Sequence, residues 1–413
     1  MPQFRDMLNY YAPIACLAGL AHVVFLVVTS LNAPSSAYEL LHAAGGVWLS
    51  GENPYGMTFD GAIWARSPNW FPLTALFAMV EPLAGARGWL IVNASLLIGA
   101  SALNAAAFQH MLSRTTLIER ASFADLLNSL TPLSFFLFHA GFMGLAFAAG
   151  AIQLGPPVML VYFGASLLIW AATKKRDIAG GVGLALILLS PSYGLLAAAA
   201  LAHSAYGRRV IALGAIVTFL LAVPALMITP AADIIAAMLH ASQATDLITH
   251  SADNVSGIRQ LLIVVGGPDL GAAFYVVLAL AVICAAGLFG RQSKPSLRTI
   301  DNLMVALSVT LFIAPPFDQY FVLIGAMLFY AVALRAPFNG LAAMAFLIIW
   351  RAENLPAPDM VGDASAFYST LGALLIFIAM LASMLRIRVP NFKFSIWDSA
   401  VPLKASRESS SRA

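Results

Sequence analysis

Apolar runs long enough to cross a bilayer alternate with short polar connectors along nearly the whole chain. Residues 12–31, 89–108, 127–149, 157–172, 178–201, 210–228, 269–289, 303–314, 321–334, 341–350 and 366–385 read as membrane helices. The run at 178–201 is interrupted by Ser190-Pro191-Ser192-Tyr193. The apolar stretch at 73–83 is short, and reads as a brief span or a re-entrant segment. Basic clusters follow several runs: Lys174-Lys175-Arg176, Arg208-Arg209, then Arg291, Lys294 and Arg298, and the tail from Arg386. The positive-inside rule assigns these to the cytoplasm. Both termini are then cytoplasmic, and the chain is an all-α, multi-pass membrane protein of ten to twelve spans. The count turns on residues 73–84. If they cross fully, the charged connector at 111–126 falls outside, and a later segment must be re-entrant to restore parity.

Three long polar stretches lie opposite the basic loops: 32–71, 229–268 and 351–364. The first holds Tyr38, Trp48, Tyr55, Phe59, Trp64, Trp70 and Phe71 among Glu39, His42, Glu52, Asn53, Asp60, Arg66 and Asn69. Loops beyond about 15 residues are functional or disordered, and this one is too aromatic for disorder. Within it, Ser36–Leu49 carries Leu40, Leu41, Ala44, Val47 and Trp48 on one side, with Glu39 and His42 off that face. That pattern predicts a short helix lying on the membrane surface. Gly51, Asn53, Pro54 and Gly56 end it with turn chemistry. Each Trp or Tyr here also reads as an ordinary interfacial anchor.

Composition narrows the class. Of 413 residues, 61% are hydrophobic and 10% charged, with mean hydropathy +0.85; soluble domains carry about 25% charged residues. The net charge of +3 is too small to argue for nucleic acid. Cys16 and Cys284 both fall in apolar runs and read as buried small hydrophobes, with no disulfide or metal-binding pattern. The opening MPQFRDMLNYYAP and the run after it lack a small-residue cleavage site, so the first run is expected to be retained as a span. No Gly-rich phosphate loop occurs, which argues against a nucleotide-driven pump.

The candidate chemistry sits on the long loops. Glu39, Glu52, Asp60, Asp253 and Asp318 lie at or near span ends on one side. Glycosyl transfer at a membrane surface needs one carboxylate to deprotonate the acceptor hydroxyl, and cations or hydrogen-bond donors on the leaving phosphate. Arg66, His250 and Arg259 are of the second type. Each of these residues alone is more often a solvated loop charge. A transporter would instead place ionisable groups at mid-membrane depth and show an internal repeat; the charges sit at span ends, and no repeat is evident.

Five short signatures, in order, resemble family 87 of the GT-C class of integral-membrane glycosyltransferases, the class holding the polyprenol-phosphate-mannose-dependent mannosyltransferases. They are Gly51-Glu52-Asn53-Pro54-Tyr55; Trp70-Phe71-Pro72-Leu73 with Glu81-Pro82-Leu83-Ala84; Ile152-Gln153; Asn254-Val255-Ser256 with Arg259; and Pro315-Pro316-Phe317-Asp318-Gln319-Tyr320. The resemblance implies a single GT-C-like bundle over residues 1–390 and a basic cytoplasmic tail over 391–413, in the inner (plasma) membrane. It treats 73–84 as a full span. It also implies transfer of a hexose, mannose-like, from a polyprenyl-phosphate donor to a lipid or glycan acceptor on the extracytoplasmic face. Glu39 or Glu52 would be the base. Ser36, His42, Asn53, Tyr55, Arg66, Gln153, Ser190, Tyr193, Asn254, Arg259, Asp318 and Tyr320 would contact donor or acceptor. No cofactor is implied, although GT-C enzymes often tolerate or use a divalent cation. Two positions depart from the family pattern: Ser36 stands where it has an Asp, and Ser190-Pro191 where it has Lys-Pro. Serine supplies neither the carboxylate base nor the lysine charge. A non-catalytic partner subunit on the same scaffold is therefore the alternative to an enzyme, with a lipid or solute transporter third.

Overall fold

Proline punctuates the helices. In a computed structural model, α3 (Phe71–Ala78), α4 (Pro82–Ser113), α5 (Pro132–Ala146), α6 (Pro156–Lys174) and α8 (Pro191–Leu201) all have proline at the first or second position. Its fixed φ suits a helix start, and its missing N–H costs nothing there. The structure describes residues 2–31, 36–59, 62–64, 66–113, 131–146, 156–238, 257–266, 270–289, 298–313, 322–334, 337–352 and 364–385. The remaining labelled helices are α1 (Pro2–Ser30), α2 (Ser36–Leu49), α7 (Asp177–Ile187), α9 (Ala205–Ile228), α10 (Ile258–Val264), α11 (Gly271–Phe289), α12 (Arg298–Phe312), α13 (Ile324–Val332), α14 (Phe338–Arg351) and α15 (Ala364–Met384). One two-residue hairpin, β1 (Thr58–Phe59) with β2 (Ala62–Ile63), is the only sheet among the described residues. Among the described residues, four stretches are long and apolar enough to cross a membrane: Asn9–Ser30, Pro82–Leu112, Ala205–Ile228 and Ala366–Met384. The chain is an all-α membrane protein.

Side-chain contacts fix which helix ends lie together. Arg209 Nε meets Asp177 Oδ2 at 2.7 Å, joining the starts of α7 and α9. Lys174 Nζ lies 3.0 Å from His110 Nδ1, joining the ends of α6 and α4. Thr299 donates to Ser204, and Arg298 donates to the Gly287 carbonyl, adding α11 and α12 to the same end. This is the basic end of the bundle. At the other end, Arg87 Nε donates to the Leu31 carbonyl at 3.0 Å, and α2 and α3 pack across it. Between the two, α7 and α8 form a hairpin. Each has 11 residues, about 16 Å of rise, and both outer ends lie at the basic end. Its turn, at 188–190, breaks the run where the Ser-Pro pair stands.

Residues 73–84 do not form one span. Helix α3 ends at Ala78 and packs back along α2. A break follows, and α4 begins at Pro82. Glu81 stops one helix and starts the next, its carboxylate accepting from the Leu83 and Ala84 N–H groups at 3.1 and 2.7 Å. A second correction concerns the cysteines. Cys16 is buried, but Cys284 is exposed on the outer face of α11.

Candidate functional site

The long first loop folds into an aromatic layer over one end of the bundle. Helix α2 spans the residues its pattern predicts and closes with Gly51 at φ +81°. The Gly51 N–H bonds the Trp48 carbonyl, and the Glu52 N–H bonds that of Val47. This paired closure needs a left-handed residue, which glycine supplies without strain. Helix α3 returns antiparallel along α2. A Cβ on Gly45 would sit 2.0 Å from the Thr74 carbonyl oxygen, so only glycine permits that approach. Trp48, Trp64 and Trp70 are at most 1% exposed. They are core, not interfacial anchors. Trp48 packs edge-on against Trp64 and Tyr55, and Tyr38 and Phe77 join Trp89 of α4.

Two clamps hold this layer to the bundle. Trp70 Nε1 donates to the Leu189 carbonyl at 2.9 Å, and Ser67 Oγ approaches the same oxygen at 3.5 Å. That carbonyl is at the α7–α8 turn. The second clamp is Asn53. Its Oδ1 accepts from the Tyr55 N–H and from Thr229 Oγ1, while its Nδ2 donates to Asp233 Oδ2 at 3.1 Å. Thr229 ends α9, and Asp233 opens the helical run at 231–238. Tyr55 Oη donates to the Arg66 carbonyl at 2.8 Å. Burial pushes the Tyr55 phenol well above its ordinary value, so it remains a donor.

The predicted residues therefore divide. Glu52, Asn53, Tyr55 and the half-buried Arg66 gather at the C-terminal end of α2, beside Asp233. Glu39 is exposed in the first turn of α2, about 15 Å away along the axis. Ser36 opens the same helix, and His42 Nε2 lies 3.2 Å from the Val80 carbonyl. Ser190 is in the α7–α8 turn, under the Trp70 clamp. Tyr193 is buried one turn deeper, lining an apolar cleft with Val161, Ala165, Ile187, Thr310 and Leu323. Arg259 is 2% exposed at the start of α10. There Gly257 N–H bonds Thr370 of α15, and α10 packs on α15. Gln153, Asn254, Asp318, Tyr320, Asp60, His250 and Asp253 lie outside the described residues.

Sequence reasoning missed Asp233, although Thr229-Pro230-Ala231-Ala232-Asp233 is a readable helix start. It also placed the charges at span ends. The structure buries His139 completely in the middle of α5, and Asp301, 2% exposed, near the start of α12. Tyr330 donates to Asp301.

No protein-family model matches this chain, and no curated protein matches it.

Proposed function

We propose that the chain is a membrane glycosyltransferase acting at the end of the bundle covered by the aromatic layer, with Glu52 as its base. The observation that carries this reading is the Asn53 clamp, which holds the turn carrying the exposed Glu52 against Asp233, with Tyr55 of the same turn bonded to the Arg66 carbonyl. The basic residues lie at the other end, so the positive-inside rule makes the site extracytoplasmic. In this topology α1, α4, α5, α6, α9, α11, α12, α13, α14 and α15 carry ten crossings, and α7–α8 is a re-entrant hairpin from the cytoplasm.

In the reaction, Glu52 accepts the proton of an acceptor hydroxyl as its oxygen attacks the anomeric carbon. The bond to the polyprenyl phosphate breaks on the opposite face, and the phosphate leaves with the bonding pair. Arg66 balances that charge. Inversion needs one base, and the separation along α2 lets only one of Glu39 and Glu52 serve. The residues gathered beside Glu52 favour it. Among the described residues no group of three His, Cys, Asp or Glu side chains could hold a metal ion, and no step is routed through one. The donor is a polyprenyl-phosphate hexose entering from the bilayer, and the acceptor a lipid or glycan.

Transfer of radiolabelled hexose from a polyprenyl-phosphate donor tests this in membranes containing the chain. Glu52→Gln should cut transfer by about 10²–10⁴-fold, while Glu39→Gln retains it. The reverse pattern moves the base to Glu39. No transfer by the wild type, with donor lipid still bound, makes the chain a non-catalytic partner. The interior His139 favours a second reading, a transporter, which flux of solute or lipid across proteoliposomes would establish.

A further inference from the structure

Helix α4 presents Asn93, Leu97, Ser101, Asn104 and Phe108 to the bundle interior, at spacings of three and four that make one stripe. All five are under 5% exposed. Asn93 is 0% exposed, and neither its Oδ1 nor its Nδ2 has a hydrogen-bond partner. About 16 Å along the helix, Asn104 lies in a polar centre built from α4, α5, α6 and α13. His139 Nε2 donates to the Gly325 carbonyl at 2.8 Å, because a carbonyl can only accept. That leaves His139 Nδ1 facing Ser101 Oγ at 3.0 Å. The one hydroxyl proton of Ser101 then has two takers, this nitrogen and the Leu97 carbonyl at 2.9 Å. Asn104 Nδ2 donates to Ser166 Oγ at 3.0 Å and approaches Tyr162 Oη at 3.4 Å. Asn104 Oδ1 accepts from nothing.

An amide buried without partners is costly, and native structures satisfy such groups with protein or ordered water. We propose that this face of α4 binds internal water at two points, one at Asn93 and one at Asn104 Oδ1. The guest at Asn104 donates to Oδ1. The guest at Asn93 both donates and accepts, since both ends of that amide are free. The bundle interior thus holds water beside Asn104, in the polar centre that includes His139. The inference does not depend on the glycosyl-transfer reading.

Water-edited solid-state NMR of the full chain in lipid bilayers, with ¹⁵N-asparagine, tests it. Water magnetisation should reach the Asn93 and Asn104 side-chain amides as quickly as that of Asn53, which lies in a solvent-facing turn. Build-up no faster than in apolar core methyl groups overturns the proposal. Thermal melting gives a second readout by its sign. A dry, unpaired asparagine replaced by a leucine of similar size sheds a burial penalty, so Asn93→Leu, whose amide has no protein partner at either end, would raise Tm. A hydrated one loses its water contacts, and Tm falls by about 2 °C or more. A rise in Asn93→Leu overturns the proposal, and a fall supports it.

Discussion

Glu81 shows how one side chain sets local architecture. It stands between α3 and α4, and its two carboxylate oxygens accept the first free N–H groups of α4. These bonds favour the charged form. With smaller help from Arg87 and His42, they hold the Glu81 carboxyl below its ordinary value of 4.5. A carboxylate with a depressed folded pKa stabilises the fold above its unfolded pKa and loses that effect as pH falls through the folded one. Glu81→Gln should therefore lower Tm at neutral pH, and the gap to wild type should close as pH drops from about 6 to about 3. Tm measured across that range checks it; a gap independent of pH contradicts the cap. The capping role was readable, because a carboxylate directly before proline at a first helical position is a start signal. It was overridden at the next scale, where the apolar run from Leu73 to Val80 resembles the beginning of a span.

At the scale of elements, the legible features are those encoded within a few residues. Helix α2 runs over the predicted residues because its apolar stripe, and the Gly51 and Pro54 that follow it, are all local. The α7–α8 break was likewise visible in Ser190-Pro191. What meets that break was not, because Trp70 is 119 residues from Leu189. A helix turn frees carbonyls that the next turn would otherwise engage. Here the indole of the outer layer takes one of them, tying that layer to the hairpin. Trp70→Phe keeps most of the ring and removes the N–H. Leaving the Leu189 carbonyl with only the distant Ser67 should cost about 1–3 kcal/mol. The corresponding drop in Tm is about 2–4 °C per kcal/mol, read by scanning fluorimetry against wild type. An unchanged Tm would mean the clamp is replaceable. The same distance argument explains the candidate site. Glu52, Asn53, Tyr55 and Arg66 are close in sequence, and the Tyr55–Arg66 bond spans only 11 residues. Asp233, 180 residues from Asn53, was missed.

For the whole molecule, the question left by the sequence was parity, and the break between α3 and α4 bears on it. If 73–84 does not cross, α1 and α4 form a simple pair, and the connector after α4 joins the basic loops. Both ends of the α7–α8 hairpin then also lie with the basic loops, as the Asp177–Arg209 ion pair requires. Every basic cluster among the described residues comes to one end, and the carboxylate-bearing layer to the other. Single cysteines in intact cells, on a Cys284→Ser background, test this arrangement with a membrane-impermeant maleimide. Glu52→Cys and Asp233→Cys should label directly. Lys175→Cys and Arg208→Cys, both on exposed residues of the basic end, should label only after permeabilisation. Met79→Cys decides the point, because Met79 is 72% exposed in the break between α3 and α4. It should label from the same side as Glu52. Labelling from the opposite side would make 73–84 a span after all, and would move the α4–α5 connector out of the cytoplasm. Joint labelling of Glu52→Cys and Lys175→Cys from outside would be worse for this picture, since it would break the separation of basic and acidic ends on which the proposed extracytoplasmic site depends.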